Sequence, residues 1–180
     1  MAIPSQEKKV AILAADGFEQ AELQSPLEAL RAAGYTVSIV SVHGGSIQGM
    51  HHMDKGDSFP VNVTLDHADP DNYSALVIPG GLYNPDTLRA TPAAVNFVKA
   101  FDIAGKPIAA ICHGPWLLAE ADLLQGRRVT SWPAIQSDLK NAGADWVDEE
   151  VVVDRRLVTS RKPDDLPAFN RKMLEEIGTP

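Results

Sequence analysis

Two short runs hold residue types that chemistry requires. In Ile111-Cys112-His113-Gly114-Pro115 the one cysteine of the chain is followed by a histidine, a glycine and a proline. In Ile78-Pro79-Gly80-Gly81 two glycines end an apolar stretch. A thiol on a strand-to-helix turn faces the positive end of a helix dipole and unpaired backbone N–H groups. Both favour thiolate and pull the pKa below the free-thiol value of ~8.5. Gly114 and Pro115 suit such a turn, with the mechanics of a nucleophile elbow but not its G-x-S-x-G spelling. Paired glycines let backbone approach a ligand and aim N–H groups into a cleft. The amides of Gly81 and His113 would then hold the oxyanion formed when the Cys112 sulfur adds to a carbonyl. Each piece also has a plainer reading. A cysteine after an apolar strand is commonly inert core, Pro-Gly-Gly is commonly just a turn, and neighbouring side chains at a turn often point apart. The combination is what marks a site.

These runs need elements to position them. Val10–Ala14, Val37–Val42, Ala75–Ile78 and Pro107–Ile111 read as short, near-continuous apolar strands. Arg128–Thr130, Val151–Val153 and Leu157–Ser160 are further strands. Helical patterns cover Ala21–Ala33, the stretch opened by Thr91 (N-cap) and Pro92, Gly114–Ala121, Pro133–Ala142 and Asp164–Ile177. The region from Gly44 to Pro70 reads as irregular, with a short hairpin inside it. Apolar strands alternating with helices predict an α/β fold with a mainly parallel sheet covered on both faces, where ligands bind beyond the carboxyl ends of the strands. No repeat or linker divides residues 1–180, so one domain is expected, with 1–8 as a flexible N-terminus.

Composition excludes several classes. Hydrophobic residues at 44% and charged residues at 22% are ordinary for a globular chain. A formal net charge of -8 argues against a nucleic-acid partner, which demands a basic face. No apolar run approaches the ~20 residues of a membrane helix, and no signal-peptide core follows the N-terminus. One cysteine permits neither an internal disulfide nor a cysteine-based zinc site. A reduced, cytoplasmic protein without metal or other cofactor is expected. His51 and His52 invite a metal reading, but no further ligand spacing accompanies them and an exposed loop is the better account. Trp116, directly after the elbow, is a candidate pocket wall or simply core.

Four stretches together resemble the ThiJ/PfpI superfamily, with its class I glutamine amidotransferase-like domains. They are Asp16-Gly17-Phe18-Glu19-Gln20-Ala21-Glu22-Leu23, Ile78-Pro79-Gly80-Gly81, Ala110-Ile111-Cys112-His113-Gly114-Pro115, and Val152-Val153-Asp154 through Val158 to Leu166. Cys-His-Gly-Pro with Phe18-Glu19 is most similar to the PfpI branch of intracellular proteases. The resemblance implies a flavodoxin-like three-layer sandwich that forms a homodimer or a higher oligomer. It places Cys112 on the family nucleophile, Glu22 on the carboxyl that meets the sulfur, and His113 on a general base. A carboxyl beside a thiolate should be protonated, because burial and a neighbouring anion both raise its pKa. Glu19 and Gly80 fall in the same motifs as pocket residues. The branch takes a third acid from a neighbouring subunit shortly after Pro-Gly-Gly. Asp86 is the candidate, on a stretch one residue longer and with Asp where the branch tends to Glu, which weakens the case for efficient proteolysis. The segment Gly49–Asp57 also looks longer than in that branch, placed to line the cleft or reshape an oligomer contact. The implied function is a stress-response hydrolase that attacks small carbonyl or peptide substrates, as a cysteine peptidase or a glyoxalase/deglycase. The alternative is a redox-sensing or chaperone-like protein whose cysteine is oxidised.

Overall fold

The computed structural model describes residues 9–178. The expectation of a flexible segment over 1–8 lies outside the described residues. Seven strands form the central sheet, in the order β11-β12-β8-β7-β1-β3-β6. These are β1 (Lys9–Leu13), β3 (Thr36–Ser41), β6 (Val63–Thr64), β7 (Ala75–Ile78), β8 (Ile108–Ile111), β11 (Val152–Asp154) and β12 (Leu157–Ser160). Every neighbouring pair is parallel except the hairpin of β11 and β12. The five inner strands thus run in the flavodoxin-like order, and the chain reverses direction across the sheet between β1 and β7. That reversal opens a crevice at the carboxyl ends of the strands.

The period of two decides which side chain meets which layer. In β1, Ala11 and Leu13 pack with one buried cluster and Val10 and Ile12 with the other. The first cluster takes Phe97, Val98 and Phe101 from α3 (Pro92–Ile103), Leu117 and Leu118 from α4 (Pro115–Glu120), and Leu139 from α5 (Gln136–Asn141). The second takes Leu23, Leu27 and Leu30 from α1 (Gln20–Ala32) and Phe169 and Met173 from α6 (Leu166–Gly178). Burying each such side chain contributes roughly 1.5–3 kcal/mol. The result is the expected three-layer sandwich.

The region read as irregular is more ordered than its composition suggested. β4 (Ser46–His51) and β5 (Asp54–Pro60) form an antiparallel hairpin that joins β2 (Phe18–Glu19) in a separate three-stranded sheet. Ile47 and Gly49 face inward, and Phe59 meets Phe18 edge-on at 5.5 Å between centroids. One buried face every second residue is enough to set the strand. The strand expected at 128–130 appears as β9 (Arg128–Val129) but pairs only with β10 (Asp145–Trp146), outside the main sheet. Thr91 sits at the N-cap of α3, yet its hydroxyl donates back to the Thr87 carbonyl at 2.8 Å instead of capping the helix. A short helix, α2 (Tyr83–Arg89), follows the double glycine where only loop was expected.

Candidate active site

Strand β8 delivers Cys112 in the left-handed region, at φ 62. A non-glycine residue there costs about 1–2 kcal/mol and persists only when its surroundings hold it. Two backbone bonds do so. The Cys112 N–H donates to the Ser160 carbonyl at 3.0 Å, and its own carbonyl accepts from the Trp132 N–H at 2.9 Å. Gly114 lets the turn fit, since a Cβ there would lie 2.7 Å from the Ile78 carbonyl oxygen. The elbow expected from the sequence is therefore present, clamped between β12 and the segment after β9.

The sulfur lies 3.3 Å from His113 Nδ1, so these two neighbouring side chains meet. The backbone N–H groups of Gly81 and His113 also hydrogen-bond the sulfur. Glu22, on the first turn of α1, has no exposed surface. Its Oε2 accepts the Gly80 N–H at 2.8 Å. Its buried Oε1 has no hydrogen-bond partner of ordinary geometry, and the Cys112 thiol is the group that interacts with this carboxyl. Gly80 is obligatory in this arrangement, because a Cβ would meet Glu22 Oε2 at 2.6 Å and Cys112 Cβ at 2.7 Å.

Burial pushes the Glu22 carboxyl up to about 8, against the Gly80 N–H and the thiol, which lower it, so it is protonated at neutral pH as expected. The thiol departs from expectation. Burial first, and then the neighbouring Glu22 charge, push Cys112 up, although the Gly81 and His113 N–H groups pull it down. The helix that was to stabilise the thiolate, α4, is only six residues long, and Cys112 is 7% exposed. Desolvation therefore wins. Once Glu22 is protonated its charge no longer opposes the thiolate, so the two titrate as a pair. His113 is pushed below its ordinary value by burial, which keeps the imidazole neutral and able to accept a proton.

The other candidates divide. Glu19 and Gly81 line the same cavity as Cys112, His113 and Glu22, with a volume of about 480 Å³. Glu19 Oε2 also accepts the His52 N–H at 3.0 Å, which hangs the β4–β5 turn beside the cleft. His51 and His52 sit on that exposed turn, and among the described residues no group of three or more His, Cys, Asp or Glu side chains could hold a metal. Trp116 is not a wall of the cavity. It lies behind His113, edge-on at 5.0 Å, donates to Asp138 Oδ2 at 2.8 Å and carries the Arg89 guanidinium 4.2 Å above its ring. Trp132 is the wall instead, stacked 6.0 Å from His113. Asp86 does not reach the site within its own protomer. It lies on the exposed side of α2, where Oδ1 accepts from Arg89 Nε at 3.0 Å and Nη2 at 2.7 Å.

The sequence reading overlooked Asn84, which is fully buried. Its amide donates to the carbonyls of Pro79 and Gly80, and its oxygen accepts the Ala15 N–H at 2.7 Å. It ties the end of β1 to the glycine turn. The signal available was an amide two residues before the candidate acid, and the acid drew the attention.

Comparison with known proteins places this geometry. The model of the DJ-1/PfpI family matches residues 8–176. The chain is 45% identical over 174 residues to protein/nucleic acid deglycase 2 of Escherichia coli, covering 95% of this chain and 98% of that protein. It is 45% identical over 167 residues to a deglycase of Thermococcus kodakarensis, covering 93% and 98%. A crystal structure of a two-domain protein from Anabaena variabilis, containing DJ-1/ThiJ/PfpI-like and ferritin-like domains, superposes with a TM-score of 0.90 at 40% identity. The match covers 95% of this chain and 48% of that one, so the present chain spans about half of the two-domain protein.

Proposed function

This chain belongs to the DJ-1/PfpI family, and we propose that within it the protein is a cysteine-dependent hydrolase of the deglycase type, acting on carbonyl adducts. The observation that carries the reading is the strained Cys112, with its sulfur 3.3 Å from a neutral His113 nitrogen and facing a protonated Glu22. The thiol is not ionised at rest, so it is activated as it reacts. Its proton passes to His113 Nδ1 and on to the departing nitrogen while the sulfur replaces that nitrogen on the carbinol carbon of the adduct. His113 next takes the hydrogen of that carbon, the C–H pair forms a C=C bond, and the neighbouring carbonyl oxygen, which accepts from the Gly81 and His113 N–H groups, takes a proton from Glu22. The carbinol O–H proton then returns to Glu22 as its C=O forms and His113 gives its proton to the neighbouring carbon, which leaves a thioester. Water cleaves that thioester to a hydroxy acid and restores the thiol.

Proteolysis is the weaker member of this pair of activities, because Asp86 is engaged by Arg89 and leaves His113 without a third member in the protomer. The reading includes a homodimer or larger oligomer in the cytoplasm. Support for the oligomer comes from the exposed apolar residues at the mouth of the cleft, and for the location from the lone free thiol. Among the described residues no helix is long and apolar enough to cross a membrane.

Cys112→Ser should lower the recovery of free Nα-acetylarginine from its methylglyoxal adduct by at least about 1000-fold, because the hydroxyl is a far weaker nucleophile. Turnover that survives the substitution sinks the proposal. A second reading has one observation in its favour: Glu22 Oε1 is buried without a partner and would bond an oxygen added to the sulfur. If wild type turns over no adduct, while mild peroxide adds two oxygens at Cys112, the protein is a redox sensor instead.

A further inference from the structure

His113 must keep a nitrogen, not a carbon, against the sulfur. Half a turn about its Cβ–Cγ bond exchanges Nδ1 for Cδ2, and that torsion has two broad wells. In Cys-His and Ser-His sites a third group commonly orients the imidazole through its second nitrogen. Among the described residues the imidazole makes one hydrogen bond, the 3.3 Å contact of Nδ1 with the sulfur, and Asp86 is turned to Arg89 instead. Ring packing is what surrounds the imidazole. Trp132 stacks on one side of it and Trp116 meets it edge-on at 5.0 Å.

Trp116 is itself fixed from three directions. It sits on the first turn of α4, where its backbone N–H donates to the His113 carbonyl at 3.0 Å. Its Nε1 donates to Asp138 Oδ2 on α5 at 2.8 Å. The Arg89 guanidinium, at the end of α2, lies 4.2 Å above the ring and is held there by Asp86. A cation over the indole face and a hydrogen bond at its edge constrain tilt and rotation together. Trp116, Arg89 and Asp138 all lie outside the lining of the Cys112 cavity.

We infer that Trp116 is a positioning residue for the proposed reaction: clamped by Arg89 and Asp138, it holds the His113 imidazole with Nδ1 on the Cys112 sulfur. The inference rests on the proposed role of His113 as acceptor of the thiol proton, and deepens it. Asp86 then has a task within its own protomer, since it steadies Arg89, which steadies the indole. A displacement of about 1 Å at such a contact can cost on the order of 100-fold in rate, so a remote clamp is enough to matter.

Two readouts separate positioning from general stability. One is recovery of Nα-acetylarginine from its methylglyoxal adduct. The other is alkylation of Cys112 by iodoacetamide at about pH 7, which needs no turnover. There the sulfur bonds to the CH2 carbon, iodide leaves with its electron pair and the thiol proton passes to His113. Trp116→Leu keeps an apolar side chain without a ring. It should lower kcat roughly tenfold or more with KM within about twofold, and slow alkylation by a similar factor. Trp116→Phe keeps a ring edge for the imidazole and should recover most of both rates. In a His113→Ala background Trp116→Leu should change alkylation by less than about twofold, because nothing remains to be positioned. Equal losses in both backgrounds, or a Trp116→Leu variant within about twofold of wild type, overturn the inference. If Trp116→Leu does not fold, Arg89→Met decides, since it leaves the indole in place and removes the guanidinium. Alkylation should then slow about threefold and recover in Arg89→Lys. A rate unchanged from wild type, or the same loss in the His113→Ala background, overturns the inference. A wild type that turns over no adduct overturns the deglycase reading alone, and the alkylation rates still decide the role of Trp116.

Discussion

Glu22 has one backbone donor, no exposed surface and a thiol beside it, so its proton is linked to the stability of the fold. In the unfolded chain it ionises near its ordinary 4.5, and in the folded protein near about 8. Between those values the folded state holds the extra proton, and stability falls as pH rises, by up to about 1.4 kcal/mol per pH unit. Below about 4.5 both states are protonated and nothing is lost; above about 8 the loss is complete. Glu22→Gln removes the titration. Chemical denaturation should show the variant gaining on wild type from pH 5 to pH 8, by a few kcal/mol in total, and running parallel beyond. A difference that does not change with pH would mean Glu22 ionises normally. Cys112 and His113 were legible because they are adjacent in the chain. Glu22 was not legible from spacing, since its partner Gly80 lies 58 positions away and nothing local separates it from a solvated helix residue. The ionisation of Cys112 was misjudged for a related reason: sequence shows the helix that follows the thiol but not how deeply the turn is buried.

Among the elements, α2 and the glycine turn before it act as one piece. Asn84 satisfies two carbonyls and one N–H that are otherwise buried, at 2.9, 3.0 and 2.7 Å. Asn84→Ala leaves the Pro79 carbonyl and the Ala15 N–H without the amide and the Gly80 carbonyl with only the Glu19 N–H at 3.4 Å, and should cost about 2–4 kcal/mol. For a chain of this size the melting temperature should drop by roughly 5–10 °C. Turnover of the surviving folded protein should fall as well, because the same turn aims the Gly81 N–H at the sulfur. A melting temperature within a degree or so of wild type would show that water substitutes for the amide. The inner strands and long helices were legible because each pairs an apolar run with a clear stop. α2 was not, since Asn84-Pro85-Asp86 is also what a loop contains, and the β4–β5 hairpin was legible as a short hairpin but not in its extent, since its glycines, histidines and aspartates mask the strands. A one-sided strand built on Ile47, Gly49 and a distant Phe18 shows its period only when the partner is known.

For the whole molecule, several of the large apolar residues left exposed among the described residues gather at one place, although Ile103 and Val153 lie elsewhere. Met53 is 93% exposed, Tyr83 70% and Leu82 56%, and all three border the Cys112 cavity. Contiguous apolar surface of this kind is commonly covered by a partner. A homodimer or larger assembly should therefore appear on sedimentation at micromolar concentration, and Tyr83→Arg should shift it toward monomer. A wild-type protein that stays monomeric would remove Asp86 as an acid supplied across an interface. The overall architecture followed directly from the alternation of strands and helices, but which surface meets another copy did not, since exposure is a property of the packed chain.

The placement of His113 between two indole rings has an optical consequence. Trp132 stacks on one side of the imidazole at 6.0 Å and Trp116 meets it edge-on at 5.0 Å, and these are two of the three tryptophans in the chain. A protonated imidazole is an efficient quencher of indole emission, whereas the neutral ring is not. Most of the protein's intrinsic fluorescence is thereby coupled to the charge on His113, and the light it emits can follow the proton without any added dye.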